Sequence, residues 1–192
     1  MNKKLKRMVG VALLTALVVV LQFVGGMIPP VGGFSISLVL IPIVVGAAVY
    51  GPMVGMFLGA VFGVVVNINC VTGADIGGAM VFQANPVLCI TVVMAKGMLA
   101  GVLSGLTYQA LKKTNGYVAM LCSAIVCPLV NTGVFIACMM LFFKDVLAAW
   151  AGGGDIVAYV LSGLVLMNFV PETIINVVFS PAGQRVAKIV KR

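Results

Sequence analysis

Residues 36–66 read ISLVLIPIVVGAAVYGPMVGMFLGAVFGVVV, an apolar stretch of 31 residues without a charge. As one helix it would extend about 46 Å, well beyond the ~30 Å hydrocarbon core of a bilayer. Tyr50-Gly51-Pro52 near its middle supplies a break. Proline lacks the amide donor that a helix interior needs, and glycine permits a tight turn. The stretch therefore reads as two membrane spans, 36–50 and 52–66, joined by a minimal turn. Pro42 is expected to kink or shorten the first of them.

Working outward, the remaining apolar runs give spans at 8–24, 86–111, 117–143 and 156–179. Between them lie polar or Gly/Pro-rich segments that read as loops: 25–34, 67–85, 112–116 and 144–155. Pro86 opens its span at a favourable first-turn position. Trp150 in the last of these loops is expected to act as an interfacial anchor. Pro181 is expected to begin a basic tail.

Ten of the twelve basic residues sit at three sites: Lys3, Lys4, Lys6 and Arg7; Lys112 and Lys113; and Arg185, Lys188, Lys191 and Arg192. Cytoplasmic loops retain Lys and Arg, whereas translocated loops lack them. The three sites therefore share the cytoplasmic side, and the number of spans between them must be even. Six spans satisfy this; merging 36–66 into one would place the basic tail outside. The expectation is an all-α integral membrane protein of one domain, residues 1–192, with six transmembrane helices and both termini cytoplasmic. The halves show no repeat of the kind that marks inverted-repeat transporters.

Composition supports this class. Hydrophobic residues make up 62% of the chain and charged residues 8%, against roughly 25% charged in a soluble domain. The net charge of +8 flanks the spans and follows the orientation rule, which argues against nucleic acid as the partner. The start, MNKKLKR before an apolar run, also has the form of a signal peptide. The run is long for one and lacks a clear small-residue cleavage site, so it is expected to stay as the first span. Cys70, Cys89, Cys122, Cys127 and Cys138 form no CxxC pair, and there is no histidine. A zinc site, a histidine base and a GxxxxGK[ST] phosphate loop are all missing from the sequence, so neither catalysis nor a cofactor is expected.

Small residues recur at four-residue spacing. Gly55, Gly59 and Gly63 do so in the third span, Gly97, Gly101 and Gly105 in the fourth, and Ala12 and Ala16 in the first. This spacing puts them on one helical face, where another helix can approach closely. For the glycine ladders the expected use is packing inside the bundle.

Two ionisable residues fall within spans. Lys96 lies ten residues after Pro86, about 15 Å deep and close to the midplane, where a charge is expensive. Glu172 lies sixteen residues after Ile156, about 24 Å along its helix. Such groups usually face a bundle interior or a wet cavity. They could form a buried ion pair with one another, or Lys96 could serve a polar ligand pocket. Asn131, Thr132 and Asn168 stand at comparable or shallower depth, and Gln83 and Asn85 at the outer mouth of the fourth span. Amides supply donors and acceptors without a full buried charge, which suits a neutral or zwitterionic ring. Each could also be an interhelical hydrogen bond. Asn176 is expected to be structural.

Ala12-xxx-Ala16 behind a basic start resembles the coupling motif of the substrate-binding S components of energy-coupling factor (ECF) transporters. Residues 44–60, VVGAAVYGPMVGMFLGA, are similar to the junction between the second and third helices of that family, with its GPxxGxxxGA pattern. Lys96-Gly97 followed by Gly101 resembles a KGxxxG stretch of the fourth helix. Asn168-Phe169-Val170-Pro171-Glu172, with Asn176 and Pro181, is similar to many final helices of the family. The resemblance covers nearly the whole chain. It implies a six-helix subunit of the prokaryotic plasma membrane that captures a vitamin or related micronutrient from outside. It implies docking on a transmembrane coupling protein that carries two cytoplasmic ATPases, with Ala12 and Ala16 at the coupling interface. Its substrate pocket would lie toward the outer side, built mainly from the last three helices, with Gln83, Asn85, Lys96, Asn131 and Asn168 as substrate contacts. Glu172 would be a structural or pocket partner. Two other classes compete: an autonomous small secondary transporter or channel using Lys96 and Glu172 for ion coupling, and a membrane scaffold without a ligand.

Overall fold

The computed structural model describes residues 2–27 and 38–190. The expected 25–34 loop and the start of the second expected span fall mostly outside the described residues. The chain is helical: α1 (Lys3–Met27), α2 (Leu40–Tyr50), α3 (Pro52–Thr72), α4 (Ile76–Ala84), α5 (Pro86–Leu111), α6 (Gly116–Phe142), α7 (Lys144–Trp150) and α8 (Ile156–Val190). Among the described residues five of these, α1, α3, α5, α6 and α8, are long and apolar enough to cross a membrane. The second expected span is described only as α2, an 11-residue helix of about 16 Å.

The turn at Tyr50-Gly51-Pro52 forms as the residues require. Gly51 has φ 103°, a conformation side chains avoid, and its N–H donates to Ala47 O at 3.0 Å. Pro52 takes the first helical position of α3, where a missing amide donor costs nothing.

The short α2 packs against all five long helices. Seven of its residues are buried, among them Leu40, Ile43, Val44 and Ala47. The neighbours of α2 include Leu14 of α1, Gly55 and Leu58 of α3 and Gly183 of α8. All of these belong to the end of the bundle that carries the three basic sites. The short helix thus sits among the five long ones at that end.

The two glycine ladders meet each other. A methyl group placed on Gly59 would overlap the Gly97 carbonyl, and one on Gly97 the Gly59 carbonyl; Gly55 and Gly101 are related in the same way. Backbone therefore lies directly on backbone along the α3–α5 contact, which only glycine permits. Next to it, Ser104 and Ser123 join α5 to α6 by each donating a hydroxyl to the other's carbonyl, at 3.2 and 2.9 Å. On α1, Val11, Leu14, Val18 and Leu21 form a stripe packed inward, while Leu13, Leu17 and Val20 point outward.

Several expected boundaries move. Residues 67–85 are not a loop: α3 runs on to Thr72, ends at Gly73 with φ 76°, and α4 begins three residues later. Two of the polar residues in this segment, Asp75 and Asn85, are helix caps. Asp75 Oδ1 accepts from Gly78 N at 3.1 Å to start α4, and Asn85 Oδ1 accepts from Leu88 N at 3.1 Å to start α5. Residues 144–155 contain α7 before a turn through Gly152 and Gly153, both at positive φ. The last helix does not stop at Pro181 but continues to Val190. Pro181 removes the amide that would bond the Val177 carbonyl, and the Ser180 hydroxyl donates to that carbonyl instead, at 2.8 Å.

In α8 the first turn, Ile156–Tyr159, is followed by a π-helical stretch, Val160–Phe169, before normal helix resumes at Val170. Val170 N–H reaches back five residues to Val165 O. The widened stretch ends just before Pro171, whose ring crowds the preceding turn. Widened turns of this kind often accompany functional sites, and Asn168 stands at the end of this one.

Candidate functional site

A cavity of about 440 Å³ opens in the end of the bundle away from the basic sites. Every helix except α2 contributes to its wall. Gln22 and Phe23 come from the far end of α1, Phe62, Asn69 and Cys70 from α3, and Asp75 and Gly78 from the start of α4. Cys89 and Lys96 come from α5, Asn131, Thr132 and Phe135 from α6, Trp150 from α7, and Asn168 and Glu172 from α8. The wall is thus wider than the last three helices on which the family resemblance centred.

Lys96 projects from α5 into this space. Its ammonium lies 4.7 Å from the Phe135 ring centroid and 5.9 Å from that of Phe62. A cation over an aromatic face is attracted by the ring quadrupole, more strongly when desolvated. Glu172 and Asp75 on the same wall add carboxylate attraction, Glu172 the more strongly. Phe135 is in turn stacked against Trp150, with centroids 6.5 Å apart and planes at 28°. Trp150 Nε1 donates to Met80 Sδ of α4 at 3.3 Å. A row of π faces and one cation therefore runs from α7 through α6 and α5 to α3.

The opposite character belongs to α6 and α8. Asn131 and Thr132 are buried, with 4% and 3% of their surface exposed. Asn131 Oδ1, Thr132 Oγ1 and Asn168 Oδ1 have no hydrogen-bond partner among the described residues. Leaving one such atom unsatisfied costs about 1–3 kcal/mol, and all three residues line the cavity. Asn131 and Phe135 are four residues apart on α6, and Asn168 and Glu172 four apart on α8, so each pair shares a helical face. Glu172 is 1% exposed. Asn176 donates through Nδ2 to the Glu172 carbonyl at 2.8 Å, within its own helix.

Of the residues expected to contact substrate, the structure brings Lys96, Asn131 and Asn168 together, with Glu172 beside them. It does not bring in the other two. Gln83 is exposed on α4, and Asn85 spends its side chain on the α5 cap; neither lines the cavity. Three aromatic residues were not among the expected contacts. Phe62 and Phe135 stand over Lys96, and Trp150, expected as an interfacial anchor, lines the cavity. The signal for Phe135 was its four-residue spacing from Asn131. Four of the chain's fifteen aromatic residues, Phe23, Phe62, Phe135 and Trp150, line the cavity.

Ala12 and Ala16 lie elsewhere, in the half of α1 near the basic end. Both are exposed. With Met8, Val11 and Thr15 they floor an apolar groove whose other side is Met53, Val54 and Phe57 of α3, with Arg7 at one end.

A family model described as the substrate-specific component of ECF transporters matches residues 6–182. The chain belongs to this family. It is therefore a multi-pass membrane protein and a transporter subunit that binds substrate. Comparisons with curated proteins and with solved structures find no match. The ECF S component assignment agrees with the resemblance carried by Ala12, Ala16, the Gly51-Pro52 junction and Lys96-Gly97. It also fits the two separate features just described: a polar cavity at one end and an exposed small-residue groove at the other.

Proposed function

We propose that this S component captures a vitamin or related micronutrient in the 440 Å³ cavity and delivers it through a transmembrane coupling protein driven by two cytoplasmic ATPases. The observation that carries this reading is the set of unpaired polar atoms on Asn131, Thr132 and Asn168 lining one cavity with the half-buried Lys96. Lys96, Asn131 and Asn168 grip the substrate, and Phe62, Phe135 and Trp150 cover its apolar part. Glu172 is a partner within the pocket. Gln83 and Asn85 are outside this grip.

In this reading the whole chain acts as one membrane unit of a prokaryotic plasma membrane. Six crossings put both termini and Lys112-Lys113 in the cytoplasm and open the cavity outward. The Ala12/Ala16 groove admits a helix of the coupling protein, because small side chains let backbones approach closely. The subunit binds and releases its cargo without changing it.

Reconstitution tests the proposal. Proteoliposomes holding this chain together with a coupling protein and two ATPases should accumulate a micronutrient only with ATP inside or outside on the ATPase face. Equal uptake by the chain alone, driven by an ion gradient, would replace this reading with that of an autonomous secondary transporter.

A further inference from the structure

Resting on the reading of the cavity as the substrate site, we infer that Cys70 and Cys89 form a reversible oxidation site on its wall. Peroxide converts the two thiols into a disulfide, and the oxidised form captures substrate poorly.

The pairing follows from the α3–α5 contact. Gly55 lies against Gly101, Gly59 against Gly97, and Gly63 against Val93 and Met94. Each four-residue step out along α3 is matched by a four-residue step back along α5, so the next turn sets residues 67–70 against 86–90. Cys70 and Cys89 both fall in that turn, and their thiols are hydrogen-bonded to each other. The two residues are buried, yet both line the cavity. A small oxidant can therefore reach them through the space that admits substrate. Cys122, Cys127 and Cys138 all stand on α6, and none of them is among the residues that line the cavity.

In the outward-open reading the cavity faces the side where disulfides form and persist. The chemistry needs one peroxide and no further reagent. One cysteine sulfur, as thiolate, attacks a peroxide oxygen and breaks the O–O bond. It becomes a sulfenic acid, and the released hydroxide takes up the thiol proton as water. The second sulfur then attacks the sulfenic sulfur. The S–S bond forms, and the departing hydroxyl leaves with the second thiol proton as another water. Two electrons pass from the pair to the peroxide, and a thiol reductant returns them.

Bonded sulfurs stand closer than hydrogen-bonded thiols, so one wall has to move. Deeper along α3 and α5 it cannot, because backbone already lies on backbone at Gly55, Gly59, Gly97 and Gly101. The movement falls on the outer end of α3, three residues before the break at Gly73. The Cys70 sulfur there lies where a methyl on Gly78 would be, so it supports the start of α4. Drawing it toward Cys89 takes that support away and reshapes the wall that Asn69, Asp75 and Gly78 contribute.

The test uses the full chain in detergent. The reduced chain is incubated with the small-molecule fraction of a cell extract, and native mass spectrometry identifies the retained molecule. Hydrogen peroxide is then added, free thiols are blocked with N-ethylmaleimide, and the mass and peptides are read. The expected product has lost two hydrogens and yields one peptide pair joined through Cys70 and Cys89. Its affinity for the retained molecule should fall roughly tenfold or more and return with dithiothreitol. Cys70→Ser and Cys89→Ser should each bind equally before and after peroxide, which separates the pair from oxidation of methionines or of the α6 cysteines. Thiols that stay separate under peroxide, a disulfide that leaves binding unchanged, or a loss that persists in both serine variants would overturn the oxidation site and leave substrate capture standing. Retention of no molecule by the reduced chain would remove the capture reading, and this inference with it.

Discussion

A lysine in the middle of a membrane bundle has to be compensated where it stands, because water is not there to do it. Lys96 is compensated by Phe135 and Phe62 and by the fields of Glu172 and Asp75. None of these removes its capacity to donate to a bound oxyanion. Lys96→Met keeps length and apolar bulk while deleting the charge. Losing a charge-assisted contact costs about 1.5–3 kcal/mol, roughly ten- to a hundredfold in affinity. Calorimetry with the retained molecule should show that loss with thermal stability unchanged or slightly raised. Unchanged affinity with a lowered melting temperature would make Lys96 a structural residue.

At the scale of elements, the α3–α5 contact is set by backbone meeting backbone. Gly59→Ala must push a methyl into the Gly97 carbonyl, and overpacking of this kind costs about 1–3 kcal/mol. Gly133→Ala on α6 meets nothing within 4 Å and should be neutral or mildly stabilising, since alanine is the better helix former. Thermal unfolding of the two variants in one detergent should separate them clearly; equal melting temperatures would mean that α3 and α5 do not pack as described. α1 tells a different story, since it carries cavity residues at one end, Gln22 and Phe23, and the exposed Ala12 and Ala16 at the other. Replacing both alanines by tryptophan fills the groove beside Met53 and Phe57. Uptake in cells should be lost while binding by the purified chain is kept. Normal uptake would show that this groove is not where the coupling protein docks.

At the scale of the whole molecule, α2 packs against all five long helices, and the seven other described helices line the cavity. Orientation can be tested directly in a background lacking the native cysteines. A cysteine at Asn115, in the turn after Lys112-Lys113, should react only with reagent on the cytoplasmic side. One at Gly153, in the turn before α8, should react only from outside. Reaction of both from one face would require an even number of crossings between them and end the six-span reading.

The sequence by itself determined the class, the family and the approximate place of each long helix. Long charge-free runs and three basic sites follow from the cost of charge in hydrocarbon, and that cost acts locally along the chain. It also singled out Lys96, Asn131, Asn168 and Glu172, because polar groups inside apolar spans stand out one residue at a time. It misread Asp75 and Asn85, because a capping residue and a loop residue have the same composition and differ only in backbone geometry. It misread Pro181, because the rescue of the Val177 carbonyl depends on where one hydroxyl points. Only the tertiary structure could decide that Phe62 and Phe135 stand over one lysine with Trp150 stacked on Phe135, or that the two glycine ladders face each other. Those facts join helices distant along the chain, and which faces meet is fixed by the packing of the whole bundle around α2.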